Sequence, residues 1–292
     1  MIAPPPLRPG DTVAVVAPSS PFDRALFWRG VGWLAERYRV RVGRDALTRT
    51  GYLAGSDERR LDELARALAS GARAVIAARG GYGLGRIAHR IDWRSFAASP
   101  TWLVGFSDVT ALHVEAAAVG VASLHGPMAC SLGRGDERAR RATLDALEAP
   151  LAPRRFAGLV GWRGGRASGP LCGGNLAVLH ACAAAGRLRL PDGGVVLLED
   201  VGERPYRVDR MLTGLAVGGH LARASAIVLG EFTDCLPGPD GVTVGEVLRE
   251  RLASLGVPLL AAAPFGHGAR NLPVTLGAEA HVDADAGTLS LG

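Results

Sequence analysis

Thr101-Trp102-Leu103-Val104-Gly105-Phe106-Ser107-Asp108-Val109-Thr110 begins with a short apolar run, 102–106, that reads as a buried strand. It passes without a linker into residues of a helix running from about 108 to 118. A strand feeding directly into a helix is the building unit of a parallel α/β sheet. The same rhythm recurs outward from this stretch. Residues 11–17 read as a buried strand stopped by Pro18-Ser19-Ser20-Pro21, and 24–37 as a helix. Ser56-Asp57-Glu58 opens a helix through Ser70 with Leu61, Leu64, Ala65 and Leu68 on one face, and 72–78 is another apolar strand. The first 130 residues are therefore expected to form a parallel α/β sheet.

A charged helix over 134–148 follows, after which Pro150, Pro153 and the Gly- and Arg-rich stretch 158–170 interrupt the rhythm. The expected organisation is an N-terminal α/β domain over 1–150, a linker over 151–170 and a smaller mixed α/β domain over 171–292. In the second domain a Gly173-Gly174-Asn175 turn leads to a helix at 174–185. Strands are expected at 194–199 and 225–230, a helix at 244–255, and a Gly-rich tail of short strands.

Composition removes several function classes. The 292 residues are 48% hydrophobic and 21% charged, those of an ordinary globular chain. Every long apolar stretch is broken well before the ~20 residues a membrane span needs. The N-terminus lacks a basic segment followed by an apolar one, so no secretory signal is expected and the cytoplasm is the default compartment. Cys130, Cys172, Cys182 and Cys235 form no C-x-x-C pair and no zinc-like spacing, which argues against a disulfide scaffold and a structural metal. All 33 basic residues are arginine; lysine and glutamine never occur. Lysine Schiff bases, Ser-Lys dyads and P-loop lysines are thereby excluded. The net charge of +5 is spread along the chain, and aromatics, 5% of residues, do not interleave with arginine, so no nucleic-acid partner is expected.

Chemistry can be sought where apolar strands end. Ser107 stands between strand and helix, where a sharp turn exposes a hydroxyl and the helix N-terminus offers N–H groups to an oxyanion. The pattern Gly-x-Ser-x-Val departs from G-x-S-x-G at its last position, and a helix N-cap is the competing explanation. Strand 194–198 delivers Glu199 and Asp200 at its C-terminal end. The stretch 258–263 leads to Pro264-Phe265-Gly266-His267-Gly268, a histidine between glycines that core filling explains poorly. His125 is the main rival for a base, since it too follows a short strand; His113 and His180 fall on helices, and His89, His220 and His281 lie in unpatterned surroundings. Asp92 and Glu203 read as solvated surface. The frame Gly83-x-Gly85-x-x-Ala88 satisfies a relaxed dinucleotide fingerprint, and a nicotinamide-dependent oxidoreductase is the alternative it supports. Against it, the strand ends four residues too early and no helix clearly opens on the glycines.

Taken in order, Gly10-Asp11 through Pro18-Ser19-Ser20, Arg79-Gly80-Gly81-Tyr82-Gly83, Gly105-Phe106-Ser107-Asp108, Gly173-Gly174-Asn175-Leu176, Leu198-Glu199-Asp200-Val201-Gly202-Glu203 with Tyr206 and Asp209-Arg210, and Gly266-His267 resemble the LD-carboxypeptidase family of serine peptidases, also called muramoyltetrapeptide carboxypeptidases. Relatives of that family include the microcin C immunity hydrolases. The resemblance implies a flavodoxin-like N-terminal domain and a mixed α/β C-terminal domain. It implies Ser107 as nucleophile, His267 as base, Glu199 as the carboxylate orienting it, and an oxyanion hole from the backbone N–H groups of Asp108 and Gly81. No cofactor is implied. The substrate implied is a small peptide, a murein tetrapeptide losing its terminal D-alanine; the alternative within the family is a peptidyl or aminoacyl nucleotide amide. An arginine is the natural receptor for the substrate carboxylate, and homodimers are usual in the family.

Overall fold

The computed structural model describes all residues from Met1 to Gly292 and divides them into two compact units. Met1–Pro150 with Leu272–Thr275 form the first, Leu151–Asn271 with Leu276–Gly292 the second. The strands are β1 Thr12–Val16, β2 Arg39–Val42, β3 Ala74–Ala77, β4 Trp102–Gly105, β5 Ser123–His125, β6 Arg154–Ala157, β7 Val160–Arg163, β8 Arg166–Asn175, β9 Val195–Val201, β10 Ala226–Thr233, β11 Leu259–Ala261, β12 Val274–Leu276, β13 Glu279–Asp283 and β14 Thr288–Leu291. The helices are α1 Arg24–Ala35, α2 Asp57–Ala69, α3 Trp93–Ala98, α4 Thr110–Ala118, α5 Ala129–Leu132, α6 Glu137–Glu148, α7 Leu176–Ala184, α8 Pro205–Val217 and α9 Val244–Ala253.

In the first unit β2, β1, β3, β4 and β5 pair in parallel in that order, and β12 lies next to β5. This 2-1-3-4-5 order is the flavodoxin-like one, in which the chain reverses direction across the sheet between β1 and β3 and ligands gather at the C-terminal strand ends. The central strands β3 and β4 are buried at every position, which is why they read as continuous apolar runs and not as alternating ones. Trp102, Val104, Ile76, Leu124, Phe27 and Leu34 share one core. Ser56 caps α2 through its hydroxyl, which accepts from Arg59 N at 3.2 Å, as the Ser-Asp-Glu signal predicts.

The second unit carries eight strands ordered β6-β14-β13-β8-β9-β10-β11-β7. Its centre, β8 to β11, is parallel, while β7 pairs with β11, β13 with β8, β14 with β13 and β6 with β14 in antiparallel fashion. Residues 151–170, expected to be a linker, instead supply β6, β7 and the start of β8. These strands escape a pattern search because β6 and β7 expose every second residue or more and carry arginine outward, while Gly158 (φ 75°) between β6 and β7 and Gly165 (φ 117°) between β7 and β8 are left-handed turn residues. The short β12, contributed to the first sheet from late in the chain, is likewise too brief to show periodicity.

The decoy fingerprint at 83–88 builds no α-helix: Leu84–Arg86 and Ala88–Arg90 are single 3₁₀ turns. It therefore lacks the helix N-terminus on which a pyrophosphate would rest. Nor does any helix have the length and apolar character to cross a membrane.

His113, on α4, is buried and places Nε2 2.9 Å from the carbonyl oxygen of Gly105. Nε2–H donates to that carbonyl, and Nδ1 has no hydrogen-bond partner, so a second proton would be buried without an acceptor. Burial pushes the imidazole down from 6.5 to about 4. The unfolded chain therefore takes up a proton between these values that the folded chain does not, and stability present above pH 6.5 falls as the pH drops toward 4. His113→Gln keeps a donor for Gly105 and removes the titration, so urea unfolding at pH 7, 6, 5 and 4 is expected to show a shallower acid slope than the parent, by up to roughly 3 kcal/mol. Superimposable pH profiles would refute this.

Candidate active site

Ser107 follows β4 with φ 63°, one of three non-glycine residues in the left-handed region. Such a conformation costs roughly 1–3 kcal/mol and persists only where its surroundings enforce it. The N-cap explanation does not hold: the cap position of the first turn, Ser107–Val109, falls on Phe106, and Ser107 is itself the first residue of the turn. What enforces the turn is the next residue. Asp108 is buried, and its Oδ2 accepts from Ser19 Oγ at 2.6 Å and from Leu84 N at 2.9 Å. Burial raises its pKa, while the Ser19 hydroxyl, the Leu84 N–H and the Arg60 charge oppose that rise.

These bonds draw together the loop after β1 and the glycine-rich loop after β3. Ser20 N donates to Gly80 O at 3.2 Å, and Tyr82 N to Ser20 Oγ at 3.1 Å. The glycines are demanded by contact. A Cβ on Gly80 would lie 2.9 Å from Ser107 Cβ and 3.0 Å from its Oγ; one on Gly81 (φ 105°) would lie 2.5 Å from Ser20 Oγ. The backbone of the double-glycine loop thus runs directly against Ser107, and a helix begins just beyond the serine. Backbone N–H groups in such a corner can receive an oxyanion.

In the second unit Glu199 and His267 meet: Nδ1 of His267 lies 2.7 Å from Oε2 of Glu199. Glu199 is fully buried and the His267 side chain is 18% exposed. An ionised carboxylate only accepts, so the proton sits on Nδ1, and Nε2 is left as the basic nitrogen. Two glycines make room for the carboxylate. A Cβ on Gly266 (φ 109°) would stand 2.6 Å from Glu199 Oε2, and one on Gly230 would stand 3.1 Å from Glu199 Cβ. Asn271 steadies the turn, its Oδ1 accepting from Gly266 N at 3.2 Å.

Asp200, the other acid at the end of β9, does different work. Successive side chains on a strand point to opposite faces. Asp200 accordingly accepts from Asn175 Nδ2, Ala177 N and Val201 N, joining β9 to the start of α7. Burial lifts its carboxyl to about 6. His125, the rival base, is wholly buried in β5 with its ring 6.0 Å from that of Phe106. The residues that local pattern reading missed are Ser19, the Asp108 carboxylate, Arg60 and Asn271, all of which act through contacts remote in sequence or through backbone groups.

The chain matches two family descriptions, the LD-carboxypeptidase N-terminal domain over residues 13–126 and the LD-carboxypeptidase C-terminal domain over 168–282. It is 39% identical over 244 residues to the murein tetrapeptide carboxypeptidase of Pseudomonas aeruginosa, covering 79% of each chain. The crystal structure of the muramoyltetrapeptide carboxypeptidase from Oxalobacter formigenes superimposes with a TM-score of 0.85 at 28% identity, covering 96% of this chain and 98% of that one. The microcin C7 self-immunity protein MccF, in complex with aspartyl sulfamoyl adenosine, superimposes with a TM-score of 0.91 at 21% identity over 100% and 98% of the two chains; at that identity the likeness is one of fold.

Gly266→Ala is expected to push Glu199 off His267. The measurement is the proton spectrum of the imidazole: the parent is predicted to show a strongly downfield Nδ1–H resonance that the variant lacks. An unchanged resonance in the variant would show that the glycine is not needed for this contact.

Proposed function

This chain belongs to the LD-carboxypeptidase family and is a serine-type carboxypeptidase, and on that premise we propose that it removes the terminal D-alanine from murein tetrapeptide through an acyl-enzyme on Ser107. The observation that carries the proposal is the left-handed Ser107, which stands inside the first turn and not at its cap position, with its Cβ and Oγ close against the Gly80 backbone. In this reading Ser107 Oγ attacks the carbonyl carbon of the amide linking an L-configured centre to D-alanine, and Nε2 of His267 takes the hydroxyl proton. The C–O bond forms, the carbonyl π electrons move to oxygen, and the N–H groups of Gly81 and Asp108 receive that charge. Collapse of the tetrahedral species breaks the C–N bond as His267 returns the proton to the departing amine. Water, deprotonated by the same nitrogen, then cleaves the ester. Glu199 keeps the imidazole in the tautomer this sequence needs and stabilises its cation.

Murein tetrapeptide is favoured as substrate because the Pseudomonas relative at 39% identity bears that name, whereas the nucleotide-bound neighbour resembles this chain in fold only. The buried thiols of Cys130, Cys172 and Cys235 suit a reducing compartment, and we place the reaction in the cytoplasm as a step of wall-fragment recycling.

Release of D-alanine from L-Ala-γ-D-Glu-meso-diaminopimelate-D-Ala is the direct assay. Ser107→Ala and His267→Ala are each expected to lower kcat by about 10⁴-fold or more, and Glu199→Gln by a smaller but large factor, with folding retained. No release by folded parent protein, alongside cleavage of an aminoacyl sulfamoyl adenosine, would transfer the assignment to nucleotide-linked amides.

A further inference from the structure

Arg60 lies on the buried stripe of α2 with Leu64 and Ala67, at a position where packing alone would select a leucine or methionine. Its side chain is 0% exposed. Burying a guanidinium is costly unless its N–H groups find acceptors, so its partners reveal why it is there. Nη1 donates to two backbone carbonyls, that of Pro18 at 2.6 Å and that of Gly83 at 2.9 Å. Nη2 is paired with Asp57, whose other oxygen receives Arg86 Nε at 2.8 Å. Nε has no hydrogen-bond partner. Neither acceptor carbonyl belongs to α2. Each lies in one of the loops that meet at Ser107, and a Cβ on Gly83 (φ 135°) would strike Nη1 at 2.6 Å.

From this placement the structure assigns Arg60 as a positioning residue for the oxyanion-binding loop. It pins the loop after β1 and the double-glycine loop to one rigid fork on α2. Three further bonds, Ser20 N to Gly80 O, Tyr82 N to Ser20 Oγ and Leu84 N to the Asp108 carboxylate, then fix the backbone between residues 80 and 84. The inference rests on the acyl-transfer reading above, since only a developing oxyanion gives the loop's exact placement a kinetic meaning. Arg60 touches no reacting atom. Removing it would let the donors drift, and a displacement of about 1 Å at such a site can cost on the order of 10²-fold in rate.

The test compares the parent with Arg60→Met, which keeps an unbranched apolar stem but no donors, and Arg60→Lys, which supplies a point charge in place of the fork. Three quantities are measured: the unfolding midpoint, kcat and KM for D-alanine release, and affinity for two ligands. One ligand is the tripeptide product L-Ala-γ-D-Glu-meso-diaminopimelate. The other is the same tripeptide with an aldehyde replacing its reacting carboxyl, to which Ser107 Oγ–H adds across the C=O bond to give a hemiacetal whose oxygen occupies the oxyanion position. Arg60→Met is expected to lose about 10- to 100-fold in kcat with KM within about threefold. Its aldehyde affinity should fall in step with kcat while product affinity holds, and Arg60→Lys should fall between the two. If Arg60→Met shows no cooperative unfolding, Arg60→Lys carries the same comparison. Unchanged kcat and aldehyde affinity, or equal weakening of both ligands, would overturn the assignment. A parent protein that neither releases D-alanine nor forms the hemiacetal would instead overturn the acyl-transfer reading itself.

Discussion

The first unit depends on how a serine is held in a backbone conformation that serines avoid. Ser107 sits at φ 63° because the strand before it is locked in the sheet and the residue after it is anchored sideways. Asp108 turns its carboxylate away from the helix it opens and toward Ser19 and Leu84. Both hydrogen bonds end on Oδ2 of a buried side chain, so residue 108 cannot swing without leaving buried polar groups unpaired. The same bonds determine where the loops after β1 and β3 lie, so the nucleophile and the backbone facing it are positioned together.

In the second unit the corresponding constraint is space. Glu199 reaches His267 because residues 230 and 266 have no side chains, and Asp200 does not because strand alternation turns it toward α7. A buried carboxylate beside an imidazole fixes which ring nitrogen carries the proton. That choice gives the histidine a direction for proton transfer.

Much of this was legible in the sequence, for reasons particular residues make clear. The parallel half could be read because strands buried on both faces, such as 74–77 and 102–105, appear as unbroken apolar runs, and because Ser56 announces its helix. Ser107, Glu199 and His267 stood out because each follows an apolar strand, and the family resemblance tied them together. Residues 151–170 resemble a linker in sequence because edge strands that expose arginine and turn on glycine have no apolar signature. The Ser19–Asp108 bond joins residues 89 apart, which no spacing rule detects. Arg60 is hidden for a different cause: its partners are main-chain carbonyls, invisible in any pattern of side chains, although a lone arginine on an apolar helix stripe is a signal worth following.

Acyl transfer by this route requires a covalent intermediate on Ser107 Oγ. The most direct measurement is acid quenching of the enzyme during turnover of the murein tetrapeptide, followed by proteolysis and mass spectrometry of the peptide containing Ser107. The account predicts an added tripeptidyl acyl group on Ser107, present in Glu199→Gln as well as in the parent and absent once substrate is exhausted. An enzyme that releases D-alanine while Ser107 stays unmodified under conditions where its acyl ester survives, or that carries the acyl group on another residue, would contradict it.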